Sequence, residues 1–219
     1  MRPLWGGRIF FYRFNVQISF TIQKGSLKLT CISGIVSDGT VYIGGDSAGI
    51  SGDSLRYRKD SKVFTLGTKT SVKMVVGFTT SFRMGQLINY GFELPVHPAG
   101  MDDMEYMCTS FIDAIRDRFR EGGWLERRND MECGGTFLVG YKGKLYYIGS
   151  DFQVGESMNG FDSVGSGREI AIGSLHILNP MDNFTPEEKI IKSLEAAATY
   201  NSAVCAPFKV VCVPSKKKK

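Results

Sequence analysis

Two short apolar runs joined by a tight turn constrain this chain more than any other feature. From Thr30 the sequence reads Thr-Cys-Ile-Ser-Gly-Ile-Val, turns through Asp38-Gly39 and returns as Val-Tyr-Ile-Gly-Gly-Asp. Asp-Gly between such runs is the strongest short-range hairpin signal, because both turn positions of the favoured turn need a positive φ. An isolated hairpin is marginal in water, so this one must be covered by further layers.

The rest of the chain supplies them. Strands are expected near Lys62 to Leu66 and Val72 to Gly77, split by Gly67, after a polar loop over residues 50 to 60. Met84, Leu87 and Ile88 recur at helical spacing within Phe82 to Tyr90. Beyond the Pro95 to Gly100 break, the apolar positions Cys108, Phe111, Ile112, Ile115 and Phe119 mark a stronger helix beginning near Met104 and stopped by Gly122-Gly123. A second hairpin, Thr136 to Val139 and Leu145 to Ile148, brackets a Lys142-Gly143 turn. A late helix opens on Thr185-Pro186-Glu187-Glu188, with Thr185 as N-cap, Pro186 at the first helical position and Glu188 closing a capping box. A strand near Phe208 to Val213 closes the chain. Strand runs separated from helix runs define an α+β protein, with antiparallel sheet and helices packed outside it.

At 219 residues one core suffices, and a single domain over residues 30–215 is expected. Residues 1–29 read as a propeptide, an extension or a mis-assigned start, and 216–219 as a basic tail. The formal charge of +5 is concentrated at these ends, with Lys216 to Lys219 at one and an acid-free stretch at the other. A basic patch for nucleic acid is therefore not expected. No apolar run reaches the length of a membrane-spanning helix. Five cysteines without a CxxC pair point to a reducing, cytoplasmic compartment rather than a disulfide framework. His97 and His176 are the sole histidines, and both suit structural roles. Neither a metal nor a cofactor is expected, and no phosphate-binding P-loop occurs.

Measured from Thr30, Asp46 of Gly44-Gly45-Asp46-Ser47 lies sixteen positions on, Lys62 thirty-two on, and Ser166 is the centre of Gly165-Ser166-Gly167. This spacing resembles the proteasome β subunits and the bacterial HslV peptidase, members of the N-terminal-nucleophile (Ntn) hydrolases. The resemblance covers the chain after residue 29. It implies a four-layer αββα sandwich of two antiparallel sheets and a threonine-type endopeptidase. It places the nucleophile at Thr30, with Asp46, Lys62 and Ser166 assisting and the Gly77 amide as oxyanion donor. It further implies a substrate pocket near Ser47 to Ile50 and Met74 to Thr79, involving Ser47, Met74, Val76 and Thr79. Protein or peptide substrates, a ring of identical subunits and an ATP-dependent unfoldase partner follow from the same resemblance.

The chemistry asks for these residue types. A threonine hydroxyl is a weak nucleophile until a base takes its proton, and a free α-amine with a pKa of about 8 can do so. A nearby ammonium lowers the pKa of both groups, and a carboxylate holds that ammonium in place. Three alternatives stand beside this reading. Cleavage one residue later would make Cys31 the nucleophile. Asn201, where the family's aspartate is expected, and the residues before Thr30 suit a noncatalytic structural subunit. A small-amide amidase of the same fold is the third.

Overall fold

The computed structural model describes residues 30–51, 54–68 and 71–214. The first 29 residues and the lysine tail, with the expectations placed on them, lie outside the described residues.

In chain order the first half forms β1 (Cys31–Ser37), β2 (Thr40–Asp46), β3 (Ala48–Ser51), β4 (Ser54–Tyr57), β5 (Val63–Thr68) and β6 (Ser71–Phe78). Helix α1 (Phe82–Gly91) follows, and then α2 (Asp103–Tyr106), a π-helical turn (Met107–Phe111) and α3 (Ile112–Glu121) run on as one helical segment. The second half gives β7 (Glu126–Arg128), β8 (Met131–Cys133), β9 (Phe137–Tyr141), β10 (Lys144–Ile148), β11 (Val154–Glu156) and β12 (Phe161–Gly165). Helices α4 (Arg168–Leu178) and α5 (Pro186–Tyr200) and strand β13 (Phe208–Pro214) complete the described chain.

Two antiparallel sheets carry the architecture, one ordered β12-β1-β2-β13 and the other β11-β10-β9-β6-β5. Successive side chains of a strand face opposite sides, so a strand buried on both faces feeds two interfaces. Strand β1 does this: Ile32 and Val36 point between the sheets, while Cys31 and Ile35 point at the helices. Ile32, Val41, Ile43, Val63, Val75, Leu138 and Leu145 fill the sheet-to-sheet layer. Ile190, Leu194 and Ala197 of α5 and Ala171 of α4 cover the first sheet. Met84, Leu87, Ile88, Phe111, Ile115 and Phe119 cover the second. Helix, sheet, sheet and helix therefore stack in four layers, the αββα sandwich that the resemblance implied.

Helix α5 starts as its sequence dictates. The Thr185 hydroxyl accepts the Glu188 amide at 3.3 Å, and the Glu188 carboxylate accepts the Thr185 amide at 2.8 Å. Its close seat on β2 depends on Gly44, where a Cβ would stand 2.3 Å from Ile190 Cγ2.

Several expectations are corrected. Residues 48–57 form a two-stranded hairpin rather than a loop. Leu55 and Tyr57 stay 45% and 66% exposed, so no apolar alternation announces it. The polar stretch after α3 holds a second small hairpin, β7–β8, tied to α3 by Glu132. Strands β11 and β12 also lacked a sequence signal. Each is short and only partly buried.

Candidate active site

Thr30 sits one residue before β1 and is 5% exposed. Lys62 Nζ donates to Thr30 Oγ1 at 2.7 Å and to the two Asp46 carboxylate oxygens at 3.0 and 2.9 Å. The Cys31 amide donates to the same carboxylate at 3.1 Å. Local structure explains the convergence. Pairing of Ile32 with Gly45 brings the end of β2 beside the start of β1, and Lys62 lies just ahead of β5, whose pairing with β6 begins at Val63 and Gly77.

Both charges are buried, Asp46 at 1% and Lys62 at 2% exposure. Burial pushes the Lys62 ammonium below its ordinary range, and the Asp46 carboxylate opposes that shift. Burial likewise raises the Asp46 carboxyl against the Lys62 charge and the Cys31 amide. A buried charge is tolerable only when paired and hydrogen-bonded, and each of these has its partner.

Ser166 closes the site from the far sheet edge. Its Oγ accepts the Thr30 N–H at 3.3 Å and donates to the Thr30 carbonyl at 3.2 Å. Gly165 makes that approach possible, because its φ is +103° and a Cβ there would stand 2.1 Å from the Thr30 carbonyl oxygen. Asn201, the C-cap of α5, donates from Nδ2 to the Ser166 carbonyl at 2.8 Å and accepts the Ala203 amide at 3.0 Å. Thus Asn201 braces Ser166 through the backbone, by a bond that a carboxylate has no hydrogen to make.

The remaining expected residues are placed differently. The Phe78 amide donates to the Lys62 carbonyl, and the Thr79 amide to the Thr136 carbonyl. Amides alternate in direction along a strand, so the Gly77 N–H, one residue before Phe78, turns to β9, where Gly77 pairs with Leu138. It is therefore committed to the sheet and is not an available oxyanion donor. Thr80, three residues on, has a left-handed φ of +67°, and its N–H donates to no described residue. Met74 and Val76 are fully buried beneath α1 and α3; their strand parity turns them into the core, so neither lines a pocket. Thr79 is 1% exposed and spends its hydroxyl on the Thr136 carbonyl at 2.7 Å. Ser47 accepts the Arg58 amide at its carbonyl, at 3.4 Å, in the hairpin that borders the site.

The rival thiol is packed away. Cys31 is 0% exposed, and burial pushes it up to about 11. The two histidines lie outside the site. His97 Nε2 donates to the Met101 carbonyl at 2.9 Å, which leaves Nδ1 to accept from Tyr141 Oη at 2.8 Å. His176 packs edge-on against Phe161. Among the described residues no helix is long and apolar enough to cross a membrane.

No protein-family model and no curated protein matches the chain. Solved structures do. BPH from Thiobacillus denitrificans, in complex with epoxomicin, aligns with a TM-score of 0.71 at 17% identity, over 85% of this chain and 100% of that one. HslV from Trypanosoma brucei aligns at 0.59 and 17%, over 84% and 98% of the two chains. Anbu from Yersinia bercovieri, described as an ancestral β-subunit, aligns at 0.58 and 14%, over 84% and 82%. With its two antiparallel sheets enclosed by helices and these alignments over most of its length, the chain has the fold of the proteasome-like Ntn hydrolases.

Proposed function

We propose that this protein is a threonine-type endopeptidase in which Thr30 is the nucleophile. The observation that carries the reading is the buried contact from Lys62 Nζ to Thr30 Oγ1 at 2.7 Å, backed by Asp46. A hydroxyl facing an ammonium ion ionises more readily, and an ion pair in a protein interior acts more strongly than in water.

In the full sequence the Thr30 nitrogen is an amide, which is no base. Release of the Leu29–Thr30 bond converts it to an α-amine beside its own hydroxyl. That amine takes the Oγ1 proton as Oγ1 attacks the substrate carbonyl carbon. The C–O bond forms, the tetrahedral oxyanion collapses, the C–N bond breaks, and the proton passes to the departing amine. Water, deprotonated by the same α-amine, then hydrolyses the Thr30 ester and regenerates the hydroxyl. We assign the oxyanion donor to the Thr80 amide in place of Gly77, on its left-handed backbone and its lack of an acceptor. Ser166, held by Asn201, positions the Thr30 nitrogen.

Peptide or unfolded protein is the substrate class. A ring of identical subunits served by a separate ATP-driven unfoldase is the assembly that the likeness to HslV suggests. The test is hydrolysis of fluorogenic peptides by the purified protein and by Thr30→Ala. Loss of turnover in the variant supports the reading, and turnover equal to the wild type refutes it. A noncatalytic subunit is the second reading, favoured by the amide character of the Thr30 nitrogen while Leu29 stays attached.

A further inference from the structure

An aromatic ring, Phe82, lies beside Lys62 with a second cation against it. Arg58 is fixed by Asp60 through two hydrogen bonds of 2.8 and 2.6 Å, and its guanidinium carbon lies 4.0 Å from the centre of the Phe82 ring. Lys62 Nζ lies 5.7 Å from the same ring centre. Phe78 meets Phe82 edge-on at 5.7 Å and 82°, and Phe64 stands 6.2 Å from Phe78. Across the hairpin, a Cβ at Gly49 would stand 3.3 Å from both Arg58 Cδ and Phe82 Cε2. The ring is thus held on several sides.

Behind it lies a pocket of about 10 Å³ lined by Asp60, Ser61, Phe64, Phe78, Phe82 and Gln86, among others. That is room for about one water-sized sphere. Neither Thr30 nor Lys62 lines this pocket; the link to Thr30 is Lys62 itself, whose Nζ lies 2.7 Å from Thr30 Oγ1 and 5.7 Å from the centre of the Phe82 ring. The residue whose carbonyl carbon Thr30 attacks carries its side chain on the adjoining Cα, which brings that side chain within reach of Lys62 and the Phe82 ring.

We infer that Phe82, clamped by Arg58, sets the size of the subsite beside Thr30, so that the bond cleaved follows a residue with a small side chain such as alanine or serine. The inference rests on Thr30 being the nucleophile. An isobutyl or benzyl group must push Phe82 off its edge-on contact with Phe78 and away from the Arg58 guanidinium. Overfilling a packed aromatic cluster is costly, and discrimination by one methylene is already worth about tenfold or more in kcat/KM.

The test uses the full chain as purified and tetrapeptide substrates that differ only in the residue joined to the fluorogenic group: alanine, leucine or phenylalanine. The wild type should show kcat/KM for the alanine substrate at least about tenfold above that for leucine. Phe82→Ala should shift that ratio toward leucine by about the same factor, and Arg58→Ala, which keeps the ring but frees it, should shift it in the same direction by less. The second variant keeps the test open should Phe82→Ala fold poorly. A wild type that prefers leucine or phenylalanine overturns the inference, as does a ratio unmoved in both variants. Cleavage of every substrate equally by wild type and Thr30→Ala overturns instead the assignment of the nucleophile, and the inference with it.

Discussion

Lys62 reaches the hydroxyl of Thr30 from thirty-two residues away at 2.7 Å, with both residues buried. That contact and the Lys62–Asp46 ion pair behind it at 2.9 Å set up a double-variant test. Lys62→Met leaves a buried carboxylate unpaired, which costs about 3–5 kcal/mol of stability. It also removes the charge facing Thr30, so peptidase activity should fall by about 10²–10⁴-fold. Combining it with Asp46→Leu should recover most of the stability, read by urea denaturation, and none of the activity. Recovery of both would mean that the pair is purely structural.

Asn201 offers a prediction against the family pattern. Its Nδ2 donates to the Ser166 carbonyl at 2.8 Å, and a carboxylate has no hydrogen for that bond. Introducing an aspartate here, by Asn201→Asp, should therefore lower kcat rather than raise it, by about 10–100-fold through misplacement of Ser166, with KM little changed. A kcat at or above the wild-type value would show that the amide bond is dispensable.

Gly165 is the narrowest point of the site. Its φ of +103° and the 2.1 Å separation that a Cβ would have from the Thr30 carbonyl oxygen leave no room for alanine. Gly165→Ala should displace Thr30 and cost about 1–3 kcal/mol, from overpacking and the strained backbone. Activity should be lost in protein that remains folded by circular dichroism. An active Gly165→Ala variant would contradict the close approach of β12 to Thr30.

The hairpin on α3 predicts a pH dependence. Hydrogen bonds from three arginines, Arg116 first, then Arg120 and Arg127, hold Glu132 at about 2, below its ordinary 4.5. A carboxyl lowered on folding stabilises the native state above its unfolded pKa and loses that contribution as pH falls through its folded pKa. Wild type should therefore melt above Glu132→Gln at pH 7, and the gap should close between about pH 4.5 and 2. A gap that is constant with pH would place the stabilisation elsewhere.

Elements that bury apolar residues at a regular period were legible in the sequence. The β1–β2 hairpin shows Asp38-Gly39 between two apolar runs, and α5 shows a Thr185 to Glu188 capping box, because both signals are local. The β3–β4 hairpin was not, since Leu55 and Tyr57 face outward and nothing in its alternation marks a buried side. The resemblance of their spacing to the proteasome and HslV pattern singled out Asp46, Lys62 and Ser166 beside Thr30, and the fold brings these residues together. Which face of β6 meets the site was not legible. Met74 and Val76 share a parity that only the stacking of α1 and α3 reveals as core, and the Gly77 amide is claimed by a register with β9 that local sequence does not encode. The Phe82 clamp was equally hidden, because Arg58 follows a hairpin with no apolar signal and meets a ring that belongs to a separate element, α1.

The central claim is that Thr30 acts through its own hydroxyl and a released α-amine. Intact mass and N-terminal sequencing of the purified protein, with Thr30→Ala alongside, test it most directly. The account predicts a wild-type chain that begins at Thr30 and cleaves fluorogenic peptides, and a Thr30→Ala chain that cleaves none. An active wild-type chain that retains Leu29, or one that begins at Cys31, would contradict it.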